Sequence, residues 1–459
     1  MTNLREIRDT IHGFVSRSEA EEDIIDSTVF QRLRNIRQLA MANLVYPGAL
    51  HTRFDHSIGV MHISSKIAKS VGIDDDEILQ AIRFAALLHD IGHGPFSHVS
   101  EQILSKYCDK KKVLVEEEEE IHESITCDII RTNKELEAVI SEKVREKIID
   151  LISSENQEAK VKSIITGPLD ADKLDYLLRD SYYCGVKYGI YDIDRLLNTI
   201  ESIEQGLDQI IVIREGGIFA VEQFVICKYH MSSQVYRHKI RVVTDEMLVR
   251  GLELGIELDK INFLRDLFTY DRSNDYINNY LEYNDFRLLN RIIYETPKDS
   301  YVNKIFTRLL NRKLFKRVFH IGLNNFGPIV RDELSNLKEN PKLKKLLEQN
   351  IAKIVGDWLK QEIDPNLVLM VVLSIKSVRA EKVKDYIGSI PVKMDDGKLL
   401  DFTDCSTLFK SINEKEKDEI IEVYAPVDLG TETMKTKYRA ELEKIIYEFL
   451  NNNTLKLLN

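Results

Sequence analysis

Long stretches of this chain repeat an apolar residue every three or four positions, and little interrupts them. Only 9 prolines and 20 glycines are spread over 459 residues. Both residue types break regular elements, so their scarcity beside a helical rhythm predicts a mostly α-helical protein. Asp26–Ala42, Arg53–Val71, Asp75–His89 and Asp170–Ser181 read as helices, the first three opening near Asp or Thr caps. Gly72, Gly92 and Gly185 stand where helices should stop. A strand is expected at Gln209–Arg214, a hairpin turn at Glu215-Gly-Gly, and helix again over Val221–Arg250.

The last third changes character. Leu367–Val378 is rich in Val, Leu and Ile, and Ile390–Met394 with Lys398–Phe402 flank the turn Asp395-Asp396-Gly397, a β-hairpin pattern. Glu419–Val427 reads as another strand and Met434–Asn451 as a closing helix. The expected organisation is a large helical domain over residues 1–330, its site within about 25–250, then a smaller α+β region over 331–459.

Charge and cysteine usage exclude several classes. Lys plus Arg number 64 against 75 Asp plus Glu, a net −11. That argues against broad coating of nucleic acid but leaves room for a local anion pocket. No apolar run approaches the ~20 residues of a membrane helix, and the start of the chain lacks a signal pattern. The five cysteines are scattered, with none at C-x-x-C spacing, so they read as buried free thiols of a reducing, cytoplasmic compartment. The glutamate run within Asp109–Glu123 reads as a solvated loop or exposed helix face. The basic stretch Lys304–Arg317 reads either as a solvated helix or as an anion-binding one.

Chemistry concentrates in one window. Seven of the 11 histidines fall between His51 and His122. At its centre, an apolar helix delivers His89 and Asp90 at its end, and Gly92-His93-Gly94-Pro95 turns the backbone toward His98. Imidazole and carboxylate donors suit Mn, Fe, Zn, Ni or Mg without selecting among them. Upstream, Arg53-Phe-Asp-His56 opens a helix; downstream, Asp172, Tyr176 and Asp180 share one helical face. Asp175 and Arg179 fit a plain surface ion pair as well as they fit the site.

The pattern His56, His89-Asp90, Asp172 resembles the HD-domain metal phosphohydrolases. Asp9-Thr-Ile-His-Gly13, Tyr46-Pro-Gly-Ala49, His89-Asp-Ile-Gly-His-Gly-Pro-Phe-Ser-His98, Asp172-Lys-Leu-Asp-Tyr176 and Tyr236-Arg-His-Lys239 narrow it to the deoxynucleoside triphosphate triphosphohydrolase branch. The resemblance implies an HD helical bundle that binds one divalent ion per subunit through His56, His89, Asp90 and Asp172. It implies that His93, His98 and His122 face the α-phosphate, with His98 protonating the leaving 5′-oxygen. Arg53 and Lys173 would hold phosphates, Gln38, Tyr176 and Asp180 the deoxyribose, and Tyr236 would exclude a 2′-hydroxyl. Asp26, Gln31 and Arg34 match part of a nucleotide effector site, whereas Glu6 and Arg8 do not. Where the family carries an arginine and a histidine ahead of Tyr236, this chain has Lys228 and Ser232.

The resemblance further implies a homo-oligomer, dimer or tetramer, acting on deoxynucleoside triphosphates. Two rivals stand beside it. One is the same centre working on another nucleotide or on single-stranded nucleic acid. The other is a non-catalytic nucleotide sensor or nucleic-acid-binding module, which the negative charge disfavours.

Overall fold

The computed structural model describes residues 5–113, 120–153, 159–205, 208–375, 390–411 and 418–457. Among the described residues the fold is mostly α, as expected, with three small sheets. The helix Arg53–Ser70 starts where the Asp55 carboxylate accepts from both Thr52 N and Thr52 Oγ1, at 2.9 Å each. Asp75 caps Asp76–Leu88 by accepting from Ile78 N at 2.9 Å. Asp170 caps Ala171–Cys184 in the same way through Lys173 N, and Gly185, at φ 68°, ends that helix in the left-handed conformation. Arg53–Ser70 packs against both of the other two, and Ile121–Thr132 closes over the loop after His89.

The described residues group into two compact units. One takes in the described parts of Met1–Arg241, Leu252–Lys304 and Glu381–Asn413; the other, those of Val242–Gly251, Ile305–Ala380 and Glu414–Asn459. In the second unit β5 (Lys316–Gly322), β9 (Asp418–Ala425) and β6 (Leu369–Ile375) form an antiparallel sheet with β9 central. Val318, Met370, Ile421 and Val423 pack there with Ile351 and Val355 of the helix Pro341–Leu359 and with Leu442 and Ile446 of Glu432–Leu457.

In the first unit β1 (Arg5–Asp9) pairs with β2 (Gly13–Arg17), and β3 (Ile200–Gln205), β4 (Asp208–Arg214), β7 (Pro391–Lys393) and β8 (Leu399–Asp401) form a four-stranded sheet. β7 and β8 are the hairpin read from the sequence, and β7 runs parallel to β4.

Four local readings need correction. Asp26–Ala42 is a short helix, Thr28–Gln31, followed by 3₁₀ turns, because buried Arg32 spends its guanidinium on distant carbonyls. Glu215-Gly-Gly is no hairpin turn: β4 pairs back with β3, and Glu215–Gly217 is a 3₁₀ turn leading into the helix Ile218–His230. Val221–Arg250 is not one helix either. It passes through a wider π turn at Met231–Tyr236 and restarts at Lys239, where His238 Nδ1 caps Ile240 N. The basic stretch Lys304–Arg317 is divided between the end of the helix Tyr301–Leu310 and the start of β5. The glutamates at 116–119 lie outside the described residues. No described helix is long and apolar enough to cross a membrane.

Candidate metal centre and cavity

Two imidazoles, His56 and His89, meet with buried Nε2 atoms that lack any hydrogen-bond partner among the described residues. Their other ring nitrogens are committed. His56 Nδ1 donates to Asp175 Oδ2 at 2.8 Å, and His89 Nδ1 donates to the Ala86 carbonyl at 2.8 Å. Each Nε2 therefore faces inward, the orientation a metal ligand requires once that nitrogen is deprotonated. Asp172 Oδ1 lies 2.9 Å from His56 Nε2, and Asp90 Oδ1 lies 3.3 Å from His89 Nε2. The donor atoms of His56, His89 and Asp172 all fall within 4.8 Å of one another. Mixed imidazole and carboxylate donors around orphaned, buried nitrogens fit a divalent cation and do not choose its identity. Burial pushes the His56 pKa down, but the neighbouring Asp172 and Asp175 carboxylates raise it to about 10, so an entering cation displaces a proton.

Behind this group, the pair read equally as a surface bridge is fully buried. Arg179 donates to both oxygens of Asp175, at 2.7 and 2.9 Å, and to Asp9 Oδ2 at 2.9 Å. His12 Nε2 adds a contact of 2.6 Å to Asp175 Oδ1. Against the cost of burial, these partners hold the Asp175 carboxyl well below its usual range. A surface origin is corrected: Asp175 is the orienting partner of His56.

A cavity of about 470 Å³ opens beside the centre. Gln38, Arg53, His89, Asp90, His93, His98, His122, Asp172, Lys173, Tyr176, Asp180 and Tyr236 all line it, so the structure brings every candidate catalytic and substrate residue together. His56 sits just behind. Arg53 is already engaged, donating to Asp90 Oδ2 at 2.6 Å and Ser97 Oγ at 2.8 Å, with Nη2 buried and without a hydrogen bond among the described residues. Lys173 Nζ lies 2.5 Å from Asp170 Oδ2 and 3.0 Å from the Gly167 carbonyl. Asp180 is gripped at both oxygens, by His51 Nε2 at 2.7 Å and the Tyr236 hydroxyl at 2.6 Å.

The three histidines differ in charge. Burial, then Arg53, takes the His98 pKa down to about 4 and His93 well below its ordinary value. His122 goes the other way: burial lowers it, yet Glu101 and Glu120 raise it to about 10. His122 stacks on His93 with ring centres 3.7 Å apart. Near neutrality, then, His122 carries the proton and His98 does not.

Sequence reasoning missed His51, Glu101 and Arg241, and left Asp175 open between a surface pair and the site. Glu101 accepts from Ile121 N, His122 N and His122 Nδ1, at 2.6, 3.1 and 3.0 Å; its spacing of three from His98 on one helix was the available signal. Arg241 lines the cavity beside the Tyr236 ring, its guanidinium 5.3 Å from the ring centre.

The effector candidates lie elsewhere. Asp26 and Arg34 line a separate hollow of about 280 Å³ with Arg8, Arg17 and Asp55. Gln31 is not on its lining; it accepts from Arg34 Nε at 2.8 Å and donates to the Ile25 carbonyl. Arg34 itself lies over the Phe54 ring at 3.5 Å.

A helical bundle that gathers His56, His89 and Asp172 around one point, with Asp90 next to His89 and a charged cavity alongside, fits the HD-domain class of phosphohydrolases. The chain belongs to this family: the HD domain model matches residues 53–180 and the HD associated region matches residues 191–443. It is 30% identical over 438 residues to the uncharacterized protein MJ1154 of Methanocaldococcus jannaschii, covering 87% of each chain. The crystal structure of a hypothetical protein from Aquifex aeolicus superposes with a TM-score of 0.69 at 30% identity, covering 96% of this chain and 100% of that one. The deoxynucleoside triphosphate triphosphohydrolase SAMHD1 homolog of Dictyostelium discoideum is 29% identical over 335 residues, 69% of this chain and 60% of that protein.

Proposed function

We propose that this protein is a metal-dependent phosphohydrolase that cleaves deoxynucleoside triphosphates to deoxynucleoside and inorganic triphosphate. The observation that carries the reading is the pair of orphaned imidazole nitrogens facing Asp172 at the floor of a cavity of nucleotide size. A divalent ion held by His56, His89, Asp90 and Asp172 would offset phosphate charge and lower the pKa of an attacking water.

The remaining work falls to this chain's own side chains. Water attacks the α-phosphorus, the bond from that phosphorus to the 5′-oxygen breaks, and the 5′-oxygen takes a proton. Arg53, Lys173, Arg241 and protonated His122 supply positive charge around the transferred group. His98, neutral in the free site, gains its proton as about four substrate charges offset Arg53 and Arg241, and then donates it to the leaving oxygen. Asp180, anchored by His51 and Tyr236, offers a fixed acceptor to a sugar hydroxyl. The Tyr236 ring, near Tyr176, forms the wall that a 2′-hydroxyl would meet. The likeness to the Dictyostelium triphosphohydrolase supports the substrate class. By the same likeness we propose a homo-oligomer, with the hollow at Asp26 and Arg34 as its effector site.

Incubating metal-loaded protein with each deoxynucleoside triphosphate and resolving the products decides the matter. Inorganic triphosphate and nucleoside are expected; orthophosphate or pyrophosphate would refute the reaction. Competition by ribonucleotides and by a labelled oligonucleotide separates the other substrate classes.

A further inference from the structure

The loop that carries His93 and His98 is held in a strained conformation by residues that lie outside the HD domain. Phe96 and Ser97 have φ of 62° and 54°, a region that L residues with side chains rarely adopt. Such strain persists only where the surroundings over-determine it. Here they do. Asp285, the first residue of the helix Asp285–Glu295, accepts from Phe96 N at 2.7 Å with Oδ1 and from Arg37 N at 3.1 Å with Oδ2. The same Arg37 offers its carbonyl to Ser97 Oγ at 2.7 Å, and Ser97 Oγ in turn accepts from Arg53 Nε. Three carbonyls earlier in the loop are also taken: Ile91 and His93 by Arg32, and Gly92 by the Tyr280 hydroxyl at 2.8 Å.

We propose that Asp285 is a positioning residue for the reaction: by clamping the Phe96 and Arg37 amides it sets where the His98 ring stands in the cavity and keeps Arg53 aimed at Asp90. The reasons are geometric. His98 follows directly on the strained pair, as the first residue of the helix His98–Tyr107, so a change of φ at Phe96 or Ser97 swings its ring. Of the proposed metal donors, His56 and Asp172 stand on other helices, and His89 and Asp90 follow directly on the helix Asp76–Leu88, ahead of the strained pair. Asp285 is buried and is not among the described residues that line the cavity, so it acts through the backbone amides it holds and the charge it offers Arg32 and Arg37. This gives the HD-associated region a role in the chemistry of the domain that precedes it.

The experiment compares wild type with Asp285→Asn and Asp285→Ala, each loaded with zinc. One arm records the histidine ring signals by NMR. The other measures kcat and KM on whichever nucleotide the wild type hydrolyses. The inference rests on the phosphohydrolase reading for the second arm alone. Both variants should keep full metal content. The His98 ring signals should shift while those of His56 and His89 stay, and kcat should fall about 10- to 100-fold with KM little changed, as a displacement near 1 Å would cause. Asn retains one acceptor and should fall between wild type and Ala. Unmoved His98 signals, or loss of metal together with rate, would overturn the proposal. A wild type inactive on every nucleotide would sink the functional reading and leave the ring signals to decide this one.

Discussion

At the scale of single residues, the candidate centre depends on groups that touch no substrate. Asp175 accepts from His56, His12 and Arg179 and so fixes which nitrogen of His56 faces inward. Replacing it with Asn should weaken metal binding about 10- to 100-fold, read by competition with a chromophoric chelator; unchanged affinity would remove the orienting role. A second residue-scale outcome concerns His98. Its pKa of about 4 in the free site means that binding a non-hydrolysable triphosphate analogue near pH 6 should draw in a proton. Calorimetry in buffers of different ionisation heat measures that uptake, and its absence would take the general-acid role from His98.

At the scale of elements, what matters is how closely two helices can cross. Gly59 sits where Arg53–Ser70 meets Ala171–Cys184, and a Cβ there would run into Asp175 Oδ1 and Arg179 Nη2. Gly59→Ala should therefore overpack a buried ionic network, costing about 1–3 kcal/mol, and should loosen the metal as well. A melting temperature and metal affinity equal to wild type would contradict this. The same crossing explains part of what sequence reasoning saw. The caps Asp75 and Asp170 and the stop Gly185 act within a few residues, so those helix bounds were legible. The Asp26–Ala42 segment was misread because Arg32 bonds to carbonyls of Ile91, His93 and Tyr283, contacts that no local rhythm records.

At the scale of the whole molecule, charge ties stability to pH. The folded state raises His122 to about 10 from an ordinary 6.5, so its contribution is complete below about 6.5 and is lost as pH climbs toward 10. Glu120 is lowered to about 2, and its contribution is present above about 4.5 and is lost as pH falls toward 2. The metal-free protein should thus lose stability between pH 7 and pH 10 in denaturant titrations, and His122→Gln should flatten that slope. Ligands should act in the opposite sense to alkali. A metal and a deoxynucleoside triphosphate each present at 100-fold their Kd should stabilise the fold by about 2.7 kcal/mol apiece, visible as rises in Tm across a panel of ions and nucleotides.

The amino-acid order alone determined the helical class, the capped helices and the C-terminal hairpin, and its motifs proposed His56, His89, Asp90 and Asp172 as a donor set, of which the structure gathers His56, His89 and Asp172 within 4.8 Å. The elements follow from short-range rules of rhythm, capping and spacing, written within a dozen residues, whereas the donor set is spread from residue 56 to residue 172 and came from the family resemblance. Tertiary structure decided that Asp175 is buried, that His51 grips Asp180 across 129 positions, that Asp285 clamps a loop 189 positions away, and that β7 joins β4. No local pattern encodes such partners, because a hydrogen bond between distant residues exists only after packing has brought them within about 3 Å.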